Sequence, residues 1–210
     1  MWLHIIVIFK LIFGCIGLLT EWTQLLNSLP SYGGATFIRW GQLSCPSSSH
    51  IMIYKGQMTG PDYVSSGGGA NYQCLPEDRE YSSYRIPAPA SSLRNTLYIE
   101  SPNIAGQSLS YRRVPCVACK IMQRVSLIMT PGKTCCPSSD WTLDYRGYVM
   151  SQLEHNGNDS LDFKGAAKRG RGNYVCVDES SEPLSSTRAK SHGAVIHTVA
   201  ALCTGDDAIH

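Results

Sequence analysis

Two stretches decide how this chain is interpreted: residues 45–56 (CPSSSHIMIYKG) and residues 136–147 (CPSSDWTLDYRG). Both begin with Cys-Pro-Ser-Ser and end with a Tyr, a basic residue and a Gly at identical spacing. Further along, residues 71–74 (NYQC) and 173–176 (NYVC) repeat Asn-Tyr-x-Cys, and acidic residues follow in both places. A four-residue repeat could arise by chance, but this many rare residues in the same order indicate a tandem duplication.

The duplication divides the chain into a first half, residues 35–120, and a second half, residues 121–210. The second half carries an insertion between its two corresponding cysteines. Each half is expected to be a β unit pinned by disulfides. A unit this small buries a limited share of its surface, so the two halves are expected to pack against each other as tandem β subdomains.

An all-β fold class is predicted from short segments rich in β-branched and aromatic residues, with Gly-, Pro-, Asn- and Asp-rich turns between them. A sustained helical period is found only in the first segment of the chain. The strand candidates are ATFIRWG (35–41), HIMIYKG (50–56), NTLYIES (95–101), VSLIMT (125–130), WTLDYRGYVM (141–150), NYVCVD (173–178) and GAVIHTVA (193–200).

Residues 1–20 are predicted to be a signal peptide. The apolar run from Ile5 to Leu19 is short of the roughly 20 residues that a membrane-spanning helix needs. Cleavage is expected between residues 20 and 31, with retention as a signal anchor as the alternative. The protein is therefore expected to be secreted and extracellular. Asn158 begins an Asn-Asp-Ser glycosylation acceptor, which agrees with secretion.

Cleavage would leave an even number of cysteines, which is typical of disulfides formed in an oxidising compartment. Cys116 and Cys119 form a C-x-x-C pair, whose alternative interpretation is half of a zinc site. Zinc is disfavoured because the sequence has no second C-x-x-C and no His at ligand spacing. The cysteines in question are Cys45, Cys74, Cys116, Cys119, Cys135, Cys136, Cys176 and Cys203.

Composition and motifs argue against an enzyme or a nucleic-acid binder. The chain has 18 basic and 16 acidic residues, so it lacks the concentrated positive charge that binds phosphates. It carries none of the common nucleophile, zinc-protease or phosphate-loop motifs, so no catalytic residue, metal or cofactor is expected. Residues 67–69 (GGG) are interpreted as a flexible turn, and residues 168–171 (KRGR) as a solvated loop or, alternatively, a heparin-type patch or processing site.

Several aromatic residues lie in the strand candidates and allow two interpretations. They could line a sugar-binding face, but aromatic residues in strands more often pack in the core and across strands. The residues are Trp40, Tyr54, Trp141, Tyr145 and Tyr148.

The chain resembles a known family over about residues 35 to 200. The segments that carry the resemblance are ATFIRWGQLSCP, IYKG, GGGANYQCLPEDREY, VPCVACK, TCCPSSDWTLDYRGYVM and NYVCVDESSEP. They resemble the noncollagenous domain of spongin short-chain collagens, which is itself similar to the duplicated C-terminal domain of type IV collagen. The resemblance implies a β-rich module that drives chain association in the extracellular matrix. The chain has no Gly-X-Y repeat, so it cannot form a collagen triple helix by itself.

The resemblance also implies the cysteine pairing of the first half, Cys45 with Cys119 and Cys74 with Cys116. The family continues beyond the position of Cys203 with another C-x-x-C, so the second half is expected to be truncated. Cys135, Cys136, Cys176 and Cys203 are left unassigned. These four cysteines could form new pairs within the second half, most simply Cys176 with Cys203, or they could bond a second copy of the chain. Covalent dimers or a loosely ordered second half are therefore expected.

The predicted function is that of a secreted matrix assembly or interaction module. Its expected partners are further copies of itself or other matrix proteins. The alternative is a carbohydrate-binding, lectin-like secreted protein, whose partners would be glycans.

Overall fold

The structure, a computed structural model, describes residues 33–63, 65, 68–84, 90–99, 108–122, 124–152, 172–189 and 193–199. The predicted signal peptide (1–20), Asn158, Cys203 and the basic segment at 168–171 lie outside the described residues. Of the Gly run at 67–69, Gly67 lies outside them, whereas Gly68 and Gly69 are described.

The described residues form β-strands joined by turns and extended segments, and no helix is found among them. The predicted all-β class is therefore confirmed. None of the described residues belongs to a helix of the length and apolarity needed to cross a membrane. The strands are β1 (Gly34–Trp40), β2 (His50–Pro61), β3 (Gln73–Pro76), β4 (Leu93–Tyr98), β5 (Pro115–Met122), β6 (Gly147–Ser151), β7 (Val175–Asp178) and β8 (Ala194–Thr198).

These eight strands form one sheet in the order β3-β2-β4-β8-β6-β7-β1-β5. The two halves meet at two parallel contacts, β4 with β8 and β1 with β7. Strand β5 also pairs with β2, so the hydrogen-bonded strands close into a ring with β3 attached outside it. The halves therefore share a sheet and do not each form a separate one.

The core is also shared between the halves. Its buried side chains come from strands on both sides of the β4–β8 contact, and the Tyr72 hydroxyl of the first half donates to the Val195 carbonyl of the second at 2.8 Å. Burying a large apolar side chain contributes about 1.5–3 kcal/mol, so this common core holds the halves together. Its members are Trp40, Met58, Tyr72, Cys74, Tyr98, Leu109, Val114, Cys116, Met150, Val175, Val177 and Ile196.

Strand β5 is the centre of the first half. It runs antiparallel to β1 on one side and to β2 on the other, so that Ala118 lies opposite both Ile38 and Tyr54. It is buried along most of its length because both of its edges are covered. β5 is absent from the predicted strands, although the apolar residues around its C-x-x-C motif form the near-continuous run that is typical of a strand paired on both edges.

Two strand predictions in the second half differ from the structure. Residues 125–130 form no strand, and the predicted strand at 141–150 is reduced to β6, which begins at Gly147. Both segments have suitable residues, but no strand of the described chain pairs with them. A strand is defined by its partner, so propensity alone does not form one.

Candidate functional site

The two halves repeat a tyrosine contact. In the first half the Tyr54 hydroxyl donates to the Cys74 carbonyl at 3.2 Å. In the second half the Tyr145 hydroxyl donates to the Cys176 carbonyl at 3.0 Å. Tyr54 and Tyr145 occupy the same position of the repeated sequence, so the shared residues make the same bond.

The glycine that follows each tyrosine makes the same close approach to its neighbouring strand. Gly56 pairs with Pro76, and Gly147 pairs with Asp178. A Cβ added at Gly56 would lie 2.7 Å from the carbonyl carbon of Leu75, and one added at Gly147 would lie 2.7 Å from that of Val177. Neither position has room for a side chain, which explains why the pattern requires glycine twice.

The turn before each of these segments also matches. The His50 N–H donates to the Ser47 carbonyl, and the Trp141 N–H donates to the Ser138 carbonyl, both at 3.2 Å. Upstream, Gly41 has φ 89° and Gly132 has φ 71°, a left-handed conformation that favours glycine. On this correspondence, residues 125–131 of the second half are the counterpart of strand β1.

The halves differ where β5 lies. Strand β2 has 12 residues, and its first part pairs with β5 through residues 50–57. Strand β6 has 5 residues, because the counterpart of that first part, residues 141–146, pairs with no strand of the described chain. The second half thus has counterparts of β1 and β2 without a described strand between them.

An open groove of about 830 Å³ lies at this place. It is lined by residues 124–137, which include the β1 counterpart, and by residues 140–147, which include the β2 counterpart. Residues 173–176, Val149 of β6 and three side chains of β1 complete its lining. The groove is therefore bordered by the segments that correspond in sequence to β1 and β2.

The groove exposes apolar side chains that β1 does not. Val125 is 90% exposed and Ile128 is 52% exposed, and Leu127 and Met129 are also exposed. In the first half the side chains of β1 are buried or partly buried, with the exception of Thr36. Contiguous exposed apolar side chains on a protein surface typically mark an interaction site.

Three free thiols line the groove. Cys135 is exposed, and Cys136 and Cys176 are partly buried. Burial raises the pKa of the Cys176 thiol, and the neighbouring Asp178 carboxylate raises it further. Burial likewise raises the pKa of the Tyr145 hydroxyl beside it. At neutral pH Cys176 is therefore held as the thiol, which is a poor nucleophile.

The corresponding cysteines of the first half are in disulfides. Cys45 is bonded to Cys119 with Cα atoms 5.9 Å apart, and Cys74 is bonded to Cys116 with Cα atoms 5.8 Å apart. These are the pairs that the family resemblance implies. Both cysteines of the C-x-x-C are therefore occupied in disulfides, and no cluster of metal-ligating side chains is found in the described part of the chain.

Two sets of charges join the halves next to the groove. Arg39 of β1 forms an ion pair with Asp178 of β7 at 2.7 Å, with side chains 12% and 3% exposed. Asp144 accepts from His50 Nε2 at 3.1 Å and from Arg124 at 3.4 Å. Sequence reasoning missed these contacts, since Arg39 and Asp178 are 139 residues apart and no local pattern connects them.

Ser47, His50 and Asp144 form a hydrogen-bonded chain. Ser47 Oγ lies 2.8 Å from His50 Nδ1, and His50 Nε2 lies 3.1 Å from Asp144 Oδ1. These residue types also form hydrolase triads, where the carboxylate orients the histidine that activates the serine. Here Ser47 and His50 share one tight turn, which is enough to bring Ser47 Oγ and His50 Nδ1 into contact.

Three of the five aromatic residues weighed as a sugar-binding face, Trp40, Trp141 and Tyr145, line the groove, whereas Tyr54 and Tyr148 do not. Trp40 lies in the core, and the hydroxyls of Tyr54 and Tyr145 are bonded to strand carbonyls. Trp141 is partly exposed in the groove, and Tyr148 is 42% exposed.

No family model matches this chain, and no solved structure matches it. The family resemblance stays a prediction.

Proposed function

We propose that this protein is an extracellular-matrix assembly module, related to the noncollagenous domain of short-chain collagens and built by tandem duplication. The matching tyrosine, glycine and turn contacts of the two halves support the duplication. Two disulfides are compatible with an extracellular location. Secretion through the predicted signal peptide and glycosylation at Asn158 are part of the same proposal.

The observation that carries the proposal is the open groove with its exposed apolar side chains. It combines residues of the unpaired 141–146 segment with the exposed apolar side chains of Val125 and of the contiguous stretch 127–129. Unpaired strand-like backbone and apolar side chains are what protein chains use to add a strand from a partner. A module that associates with other chains needs such a surface, whereas a catalytic site needs reactive groups positioned at substrate distance.

The proposal is tested by sedimentation velocity of the purified chain at increasing concentration. The wild type is expected to form larger species as concentration rises, and Ile128→Asp is expected to shift it towards monomer by placing a charge on the apolar stretch. The matched control is Tyr81→Asp, because Tyr81 is 82% exposed and does not line the groove. A wild type that stays monomeric and binds no matrix protein would argue against assembly.

A lectin-like function is the second candidate, and Trp141 in the groove is the observation that favours it. An aromatic side chain beside carboxylates such as Asp140 and Asp144 offers the stacking and hydrogen-bonding groups that sugars use. A glycan array separates the two functions. Binding that is lost in Trp141→Ala supports the lectin, whereas a silent array with concentration-dependent oligomers supports assembly.

A further inference from the structure

We propose that Tyr81 is a site of tyrosine O-sulfation, and that the acidic residues directly before it are the signal by which the modifying enzyme recognises it. The partner is a tyrosine sulfotransferase, together with its sulfate donor, a nucleotide phosphosulfate. The inference goes beyond the proposed function. In the cell it rests on the secretory route that forms part of that proposal, because tyrosines are sulfated on that route.

Tyr81 is the most exposed tyrosine of the described chain. It is 82% exposed, and no hydrogen bond, ion pair or ring contact of its side chain is found among the described residues. Burial and hydrogen bonding are what make a tyrosine stabilise a fold, so Tyr81 contributes little to this one. Its hydroxyl is open to an enzyme without any part of the sheet having to move.

The segment that carries Tyr81 has left the sheet. Strand β3 ends at Pro76, and the Glu77 N–H still donates to the Lys55 carbonyl at 3.3 Å. Residues 80–84 make no backbone–backbone hydrogen bond within the described chain, and all of them are exposed. An enzyme cleft can therefore take up this segment in extended form without breaking a strand ladder.

The residues before Tyr81 give the segment a negative charge. Three of the four residues directly before it carry a carboxylate: Glu77, Asp78 and Glu80. Glu77 forms an exposed ion pair with a lysine of β2, whereas no ion pair of Asp78 or Glu80 is found in the part of the chain that the structure describes. Their charge faces solvent next to an unpartnered hydroxyl.

This charge pattern fits an enzyme with a basic binding site. A nucleotide phosphosulfate carries phosphate and sulfate groups, so a sulfotransferase has to surround its donor with positive charge. Carboxylates on the acceptor segment are attracted to the same surface. The attraction raises the rate of encounter and brings the hydroxyl close to the sulfur.

The transfer itself needs no redox partner. The Tyr81 oxygen attacks the sulfur of the donor and forms a new O–S bond, as the bond from that sulfur to the phosphate oxygen breaks. The bonding pair leaves with the nucleotide phosphate, and the phenolic proton passes to a base of the enzyme. The product is an aryl sulfate ester, which adds a negative charge to a segment that is already acidic.

Two other tyrosines of the chain separate the effect of charge from that of exposure. Tyr84 is 71% exposed and Tyr174 is 56% exposed, and neither has an acidic residue in the three positions before it. If exposure alone decided the modification, both would be modified together with Tyr81. The proposed signal selects Tyr81 alone.

The test uses the folded full chain, a purified tyrosine sulfotransferase and a radiolabelled phosphosulfate donor. Label is expected in the wild type, in Tyr84→Phe and in Tyr174→Phe, and it is expected to be lost in Tyr81→Phe. Glu80→Gln is expected to slow labelling about two- to fivefold, the factor that loss of one exposed charge pair gives. Glu179→Gln is the matched control, because Glu179 is exposed and no tyrosine follows it in the sequence.

Label that persists in Tyr81→Phe, or equal slowing by Glu80→Gln and Glu179→Gln, would overturn the inference. A full chain that stays unlabelled would also overturn it. In that case, label in a synthetic peptide of residues 77–84 would show that the fold withholds the hydroxyl, and no label there would show that the carboxylates are not the signal.

The outcome is separable from that of the proposed function, because the purified enzyme acts without secretion. In cells that secrete the chain, a phosphatase-resistant gain of one SO₃ group on Tyr81 supports the inference, whereas a phosphatase-sensitive group there is a phosphate and would overturn it. A chain that is secreted with Tyr81 unmodified would refute sulfation and leave secretion and assembly standing. Labelling by the purified enzyme of a chain that cells do not secrete would support the site and count against the proposed function.

Discussion

Gly147 offers the sharpest single-residue test of the repeated β6–β7 contact. In Gly147→Ala the new Cβ would lie 2.7 Å from the carbonyl carbon of Val177, whereas ordinary carbon contacts are about 3.5–4.0 Å. Strands β6 and β7 would have to separate by about 1 Å, and overpacking of this kind costs about 1–3 kcal/mol of unfolding free energy. The melting temperature is expected to fall by roughly 2–4 °C for each kcal/mol.

Urea unfolding and the alkylation rate of Cys176 measure this effect together. The same Cβ would lie 3.0 Å from Cys176 Sγ, so opening the strands should also speed alkylation of that thiol. Gly56→Ala has the equivalent clash with Leu75 and should lose similar stability. Gly69→Ala is the control, because nothing lies within 4 Å of its Cβ. If Gly56→Ala is destabilised but Gly147→Ala keeps its stability and its Cys176 alkylation rate, the two glycine contacts, β2 with β3 and β6 with β7, are not equivalent.

Three further predictions concern stability. Burial raises the pKa of the Tyr98 hydroxyl above its usual value near 10, so above pH 10 the unfolded state loses this proton first and the unfolding free energy falls by up to about 1.4 kcal/mol per pH unit. In Tyr98→Phe the unfolding free energy should fall less steeply with pH, and an unchanged pH dependence would contradict this prediction. Replacing Cys74 and Cys116 together by Ser should lower the unfolding free energy in urea by about 4 kcal/mol, since their disulfide spans 42 residues, and a loss under about 1 kcal/mol would argue against it. Asp178→Asn should lower the unfolding free energy in urea by about 3 kcal/mol, because it leaves the Arg39 guanidinium buried without its partner charge. A loss under about 1 kcal/mol, which is typical of surface ion pairs, would be inconsistent with this burial.

Much of the local structure could be predicted from the sequence. The all-β class and the strands at β1, β2, β4, β7 and β8 follow from short β-branched and aromatic segments between turn residues. The repeated Tyr and Gly pointed to equivalent positions, and the structure gives them equivalent contacts. These features depend on residues close together in the chain.

The long-range arrangement could not be predicted in the same way. The parallel β4–β8 contact and the Arg39–Asp178 ion pair join residues about a hundred or more positions apart, and nothing in a local pattern selects such partners. The groove was missed for the same reason. The segments at 125–130 and 141–146 have the composition of strands, and only the pairing of the whole sheet reveals that no described strand lies between them.

Hydrogen exchange of the backbone amides, followed by mass spectrometry, tests most directly the central claim that the second half has an open strand position. In the free protein, residues 141–146 are expected to exchange fast and the corresponding residues 50–55 slowly, because only the latter pair with β5. Addition of a peptide with the sequence of residues 114–122 (VPCVACKIM), which contains β5, is expected to slow exchange at 141–146 without changing 50–55. Equal protection of the two segments in the free protein, with no change on adding peptide, would contradict the claim.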